Sequence, residues 1–185
     1  MIDTTSKDII DKYLNGMIEK GLNSLPIRKI HPEMADNSQD PSKEWKTWLP
    51  IESKVEDAEI DELEKYIGYK LPVSYRDFLK YKHFYELLID ESSFCQHDPN
   101  SWRSSLTNLI FESYPREFLI DKGYIPFAVW SDWGLLCFDT TKNSDGNNYS
   151  IVQWDHERYD QFSFFSQDFR QLLTDLDNMA IKNGI

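Results

Sequence analysis

The order of hydrophobic patterns along the chain predicts an α+β fold, a single domain with a mainly antiparallel sheet flanked by helices. Three observations carry that prediction. Apolar residues recur at helical spacing through the first part of the chain, as in Ile60, Leu63 and Ile67. Two short apolar, aromatic-rich runs follow, YIPFAVW over 124–130 and LLCFD over 135–139, bounded by Gly123 and Gly134. A last helical stripe of Phe169, Leu172, Leu173, Leu176 and Met179 or Ala180 closes the chain. Helices, then strands, then one helix is not the alternating order of a doubly wound sheet. At 185 residues, 40% hydrophobic and 15% aromatic, the chain suits one sizeable core and is short for two typical domains.

The first helix is expected over 7–20, on the surface, where Ile9, Ile10, Tyr13, Leu14, Met17 and Ile18 form an apolar stripe and Gly21 follows. HPEMADNSQDPS over 31–42 is polar, holds two prolines and lacks a period, so it reads as a loop leading to Trp45 and Trp48. Ser53 with Glu56 three residues on reads as a capping box for a second helix that runs to about Ile67. Ile60, Leu63 and Ile67 turn inward; Asp61, Glu62 and Lys65 lie opposite, and Asp57, Glu59 and Glu64 flank the stripe. Gly68 can close this helix in a left-handed conformation, and Pro72 suits the start of a third. In that third helix Tyr75, Phe78 and Leu79 share a face, while Arg76, Asp77, Lys80 and Lys82 are better placed for solvent. Trp102, Leu106, Leu109 and Ile110 mark a short helix between 95 and 118.

The runs over 124–130 and 135–139 read as buried strands, and a third strand is expected over 149–154. The insert TTKNSDGNN, with its Asp145-Gly146 turn signal, makes the second and third strands a hairpin. Ser166 reads as the cap of the last helix and Asn183-Gly184 as its stop. Ile60, Leu63, Ile67, Phe78, Leu79, Phe127, Val129, Leu136, Phe138 and Val152 are expected to share one core. Trp130, Trp133 and Trp154 read as core as well.

Charge and cysteine usage narrow the function classes. Against 20 basic residues stand 32 acidic ones, a formal net charge of -12, which disfavours DNA or RNA as a direct partner. Such a surface attracts basic proteins, although solvation alone is also a sufficient reason for it. Cys95 and Cys137 fall in no C-x-x-C or other metal-ligand spacing, which points to a reducing cytoplasm. MIDTTSKDIIDKYLN lacks the basic start and apolar run of a signal peptide, and no stretch approaches a membrane span, so a soluble protein is expected.

Catalytic motifs do not assemble. Trp154-Asp155-His156-Glu157 is the most enzyme-like fragment, since His and Glu can bind metal or transfer protons. A zincin helix needs a second His where this chain has Asp160, and a zinc deaminase needs a distant Pro-Cys-x-x-Cys. His31, His83 and His97 show no ligand spacing, and Cys95-Gln96-His97 is not a dyad by proximity alone, because dyads are assembled in space. No G-x-G-x-x-G or G-x-x-x-x-G-K-[ST] occurs. No cofactor or metal is expected.

The run from Asp57 to Leu79, DAEIDELEKYIGYKLPVSYRDFL, follows E-x-x-I-x-x-L-E-x-x-I-G-x-x-L-P-x-S-Y-x-x-F-L with Glu59 slightly out of place. It resembles the SUKH superfamily of bacterial toxin-immunity proteins and fungal cell-wall-assembly regulators. GYIPFAVWSDWGLLCFD, a polar turn, IVQWDHE and the aromatic-rich closing helix extend the likeness over about 45–176. Residues 1–44 then form an N-terminal extension to a domain over 45–185, the whole making one compact unit. Many members carry Asn-Gly after the Phe-Leu of the second helix, where this chain has Lys82-His83-Phe84-Tyr85. The resemblance implies a sheet packed with helices and a non-enzymatic immunity protein that neutralises a cognate toxin domain, often a nuclease. A regulatory scaffold and, further off, a hydrolase using His156 and Glu157 are the alternatives. Exposure and charge nominate Asp57, Asp61 and Glu62 on the second helix, and Asp145, Asp155, Glu157 and Asp160 on the hairpin and the loop after it, as partner contacts.

Overall fold

A computed structural model describes residues 2–40, 42–132, 134–142 and 148–184. In chain order the elements are α1 (Thr4–Glu19), β1 (Ser24–Pro26), β2 (Trp45–Thr47), β3 (Ile51–Glu52), α2 (Asp57–Ile67), α3 (Val73–Leu79), β4 (Lys82–His83) and β5 (Leu88–Ile89). They continue with β6 (Ser92–Phe94), α4 (Trp102–Phe111), β7 (Tyr124–Trp130), β8 (Gly134–Asp139), β9 (Ser150–Asp155), β10 (Phe162–Ser166) and α5 (Phe169–Asn183). Strands β5 to β10 form a six-stranded sheet in sequential order, with antiparallel pairing throughout. The α+β expectation therefore holds. Two small antiparallel ladders, β1–β2 and β3–β4, stand apart from it.

The sheet is covered on both faces, which explains why its strands read as near-continuous apolar runs rather than as clean alternation. Ile125, Phe127, Leu136, Phe138 and Ile151 meet α1, α2, α3 and α5 in the main core. Leu135, Cys137, Val152 and Trp154 face the other way, with Val129 packed beside them, and are covered by Leu109 and Leu119. The expected single core thus needs correcting at Val129 and Val152. Val152 pairs with Cys137 and shares its face by alternation, whereas Val129, two residues from Phe127, reaches that face, opposite Leu135, only because the ladder slips between them. A register shift between Pro126 and Ala128 re-phases β7. Pro126 lies beyond the last β6 pairing, at Phe94–Ala128, where its missing N–H costs the sheet least.

Ile9, Ile10, Leu14 and Met17 bury α1's stripe in the main core, and Asp3 rather than a later residue caps the helix through Ser6 N (3.0 Å). Two expected caps fall elsewhere. Glu56, not Ser53, precedes α2; its N–H donates to the Glu59 carboxylate (2.9 Å). Ser53 instead donates to the Leu79 carbonyl (2.7 Å), tying the strap before α2 to the end of α3. At α5 the cap is Asp168, accepting from Arg170 N and Gln171 N, because Ser166 is taken up by β10. Gly68 ends α2 at φ 80° as expected. Gly134 is demanded by close approach: a Cβ there would lie 1.8 Å from the Trp154 carbonyl oxygen.

Candidate partner-binding surfaces

The acidic face of α2 is organised around a basic residue that periodicity alone assigns to solvent. Arg76, in α3, donates to Asp61 (2.9 Å) and Asp57 (3.1 Å) and pairs with Glu64 (2.9 Å). Its side chain is 19% exposed. Burial opposes the guanidinium charge, but its hydrogen bonds to the carboxylates of Glu64, Asp61 and Asp57 outweigh it and raise the pKa. Glu64 is buried and also accepts from Leu71 N (2.9 Å) and Lys70 Nζ (2.7 Å), so it fixes the turn between α2 and α3. The signal was present in the sequence, since 57, 61 and 64 follow i, i+4, i+7 on one helix face. Lys80 adds a second cation to Asp57 (2.8 Å), and Lys80 and Arg76 hold that carboxyl below its ordinary range. Glu62 pairs with Arg103 (3.0 Å). Asp57, Asp61 and Glu62 are therefore together on one surface, each already facing a counter-ion.

The second group behaves differently. Asp155 ends β9, half-buried, and its carboxylate accepts from Glu157 N (2.8 Å), turning the chain. Glu157 and Asp160 follow on that turn, exposed and without an ion pair to any described residue. Asp145 lies outside the described residues, as do the Asp145-Gly146 turn and Trp133. The turn rests on aromatic packing: Trp154 Nε1 donates to the Tyr159 carbonyl (3.1 Å), and Tyr159 stacks on Phe118 at 5.1 Å. An acidic corner is thereby held on a firm base. Strand β10 beside it was not anticipated, although FSFFS carries a strand-like Phe-Ser-Phe alternation.

The histidines that look scattered in sequence include a buried pair. His83 and His97 lie with ring centroids 5.0 Å apart. His83 Nε2 accepts from Lys54 N (3.0 Å), so Nδ1 carries the proton and donates to the His97 carbonyl (2.7 Å). His97 Nε2 donates to the Leu79 carbonyl (2.7 Å). Burial lowers both imidazoles, His97 to about 3. They are neutral fasteners joining the end of α3, the strap before α2 and the segment before α4.

Cys95 and Cys137 are free thiols; burial raises both, Cys95 to about 12. Among the described residues no three His, Cys, Asp or Glu side chains converge as a metal-ligand set. No helix among them is long and apolar enough to cross a membrane.

A search of curated proteins finds no match. A family model, SUKH_6, described as SMI1-KNR4 cell-wall, matches residues 57–173, from the first turn of α2 into α5. That span takes in the Arg76-centred helix pair, the strands β4 to β10 and most of both cores, well over half of the sequence. On this match, and on the sheet-and-helix fold that carries it, the chain belongs to the SMI1-KNR4 family of the SUKH superfamily.

Proposed function

We propose that this protein is a non-catalytic, cytoplasmic immunity protein that binds a basic toxin domain and covers its active site or substrate groove. A nuclease is the toxin class whose charge suits it best. Family membership supports a protein-binding role. The observation that carries the reading further is the acidic corner after β9, where Glu157 and Asp160 are exposed and uncountered beside the half-exposed ring of Tyr159. Aromatic anchors rimmed by uncompensated charge suit a partner of opposite sign. Asp155, Glu157 and Asp160 are the first contacts we assign. Asp57, Asp61 and Glu62 form a secondary face, weakened by Arg76, Lys80 and Arg103. The net charge of -12 adds long-range attraction, screened over roughly 8 Å at physiological salt.

The test is co-expression with the toxin domain encoded beside the gene, followed by stopped-flow binding. Protection of the cells is expected, with an association rate that falls steeply as salt rises. Replacing Asp155, Glu157 and Asp160 by Asn or Gln slows association, while dissociation, governed by buried anchors, changes less. His156→Ala leaves neutralisation intact, which a hydrolase would not allow. Loss of protection on adding no variant at all, that is, an unprotected wild type, or a rate indifferent to salt, counts against the reading. The family's cell-wall description favours one alternative, a regulatory scaffold. It expects several partners and no toxin gene alongside.

A further inference from the structure

The two edges of the six-stranded sheet are finished differently. β5 is two residues long and packs against α5, where Asn183 Nδ2 donates to Asp90 Oδ1 (2.9 Å). β10, at the other edge, is the five-residue run FSFFS, without a charge or a proline. Its ladder runs to β9 alone, regular over Phe162–Phe164 before a register shift ahead of Ser166, and no other described residue takes up the backbone groups of its outer side. An open edge of this kind is a template for another strand, and proteins ordinarily shorten, charge or cover it. Here an apolar ring stands on it instead. Phe164 is 69% exposed, more than any other large hydrophobic residue described.

The surroundings are acidic. The corner of Asp155, Glu157 and Asp160 precedes the strand, and Asp168 follows it. Over 155–168 four acidic residues face one basic residue, Arg158, whose guanidinium donates to Gln161 (3.4 Å). Beside Phe164 opens a hollow of about 430 Å³ that also takes in Asp139 and Asp168. Lys142 answers Asp139 (3.2 Å), while Asp168 spends only Oδ1 on the α5 cap, so its Oδ2 is the acceptor left to the hollow.

We propose that β10 takes up an extended, basic segment of the protein partner as an added strand. The main-chain ladder supplies the affinity and Phe164 packs on an apolar side chain of the segment. Asp155, Glu157, Asp160 and Asp168 select Lys or Arg on either side of it. The proposal rests on the binding reading above and adds where and how the partner docks. A second copy is the poorer occupant, because β10-to-β10 pairing would join two chains of net charge -12 at their acidic corners.

The probe is a short synthetic peptide of alternating Lys and Val, titrated into the 15N-labelled full chain. Two control peptides accompany it, one with Glu for Lys and one with every backbone amide N-methylated so that neither of its edges can join a ladder. Saturable shifts of the 162–166 amides are expected with the basic peptide. Binding should weaken by at least about tenfold with either control and in Phe164→Lys, a substitution its exposure lets the fold accept. Equal binding of the N-methylated peptide, shifts centred elsewhere, or no binding up to about 1 mM overturns the proposal. A dimer seen by sedimentation without peptide, and abolished by Phe164→Lys, gives the edge to a second copy and overturns it too. Failure here is separable from failure of the immunity reading: protection that persists undiminished in Phe164→Lys removes the docking edge and leaves neutralisation standing.

Discussion

Replacing Arg76 by Met keeps the aliphatic stem and removes the charge that three carboxylates share. Asp57 and Asp61 are 63% and 50% exposed and fall back on water, whereas the Glu64 side chain is 2% exposed and cannot. Removing one partner of a buried ion pair costs about 3–5 kcal/mol. Here Lys70 Nζ and Leu71 N still serve Glu64, so a smaller loss of about 2–3 kcal/mol is expected. Urea unfolding at neutral pH reads it as a lower midpoint with an unchanged slope. Glu64→Gln in the Arg76→Met background should recover part of the loss, because the carboxylate left unpaired is the source of the cost. Asp57→Asn should leave the midpoint at the wild-type value. An Arg76→Met midpoint equal to wild type, or a loss matched by Asp57→Asn, would refute the view that Arg76 acts through the buried Glu64.

Acid should weaken the fold earlier than carboxylate titration alone predicts. His97 is about 3 when folded and near 6.5 when free, so only the unfolded chain takes up its proton as pH falls below 6.5. Stability should therefore drop by about 1.4 kcal/mol per pH unit from 6.5 downward, with His83 adding in the same direction; urea midpoints between pH 7.5 and 4.5 that stay level would contradict this. Gly134→Ala places a methyl against the Trp154 carbonyl and should break the β8–β9 pairing, seen as loss of the folded amide spectrum. Leu63→Ala, at a fully buried position of α2, should cost about 2–5 kcal/mol in urea unfolding. Trp45→Ala, at a residue 57% exposed, should cost little, and Trp48→Ala, at 2%, much more.

The three strong helical stripes and the strands β7, β8 and β9 were legible in the sequence because each has a period or an apolar run long enough to declare itself. Gly68 was legible for the same local reason, a left-handed turn after a stripe. The α2 carboxylates and the acidic corner were legible as charge. What became of that charge was not, since Arg76 and Arg103 reach α2 from other elements. The short strands β1 to β6 were missed; pairs of two or three residues have no period, and only their ladder partners make them strands. His83 and His97, fourteen positions apart, become one buried pair through the Phe84–His97 bridge. Sequence by itself thus determined the helices and the longer strands β7 to β9, the family and the sign of the surface, because these depend on neighbours in the chain. Tertiary structure decided which acids keep an uncompensated charge, which face of the sheet each valine joins, and which edge strand stays open. Those depend on residues distant in sequence arriving at the same place.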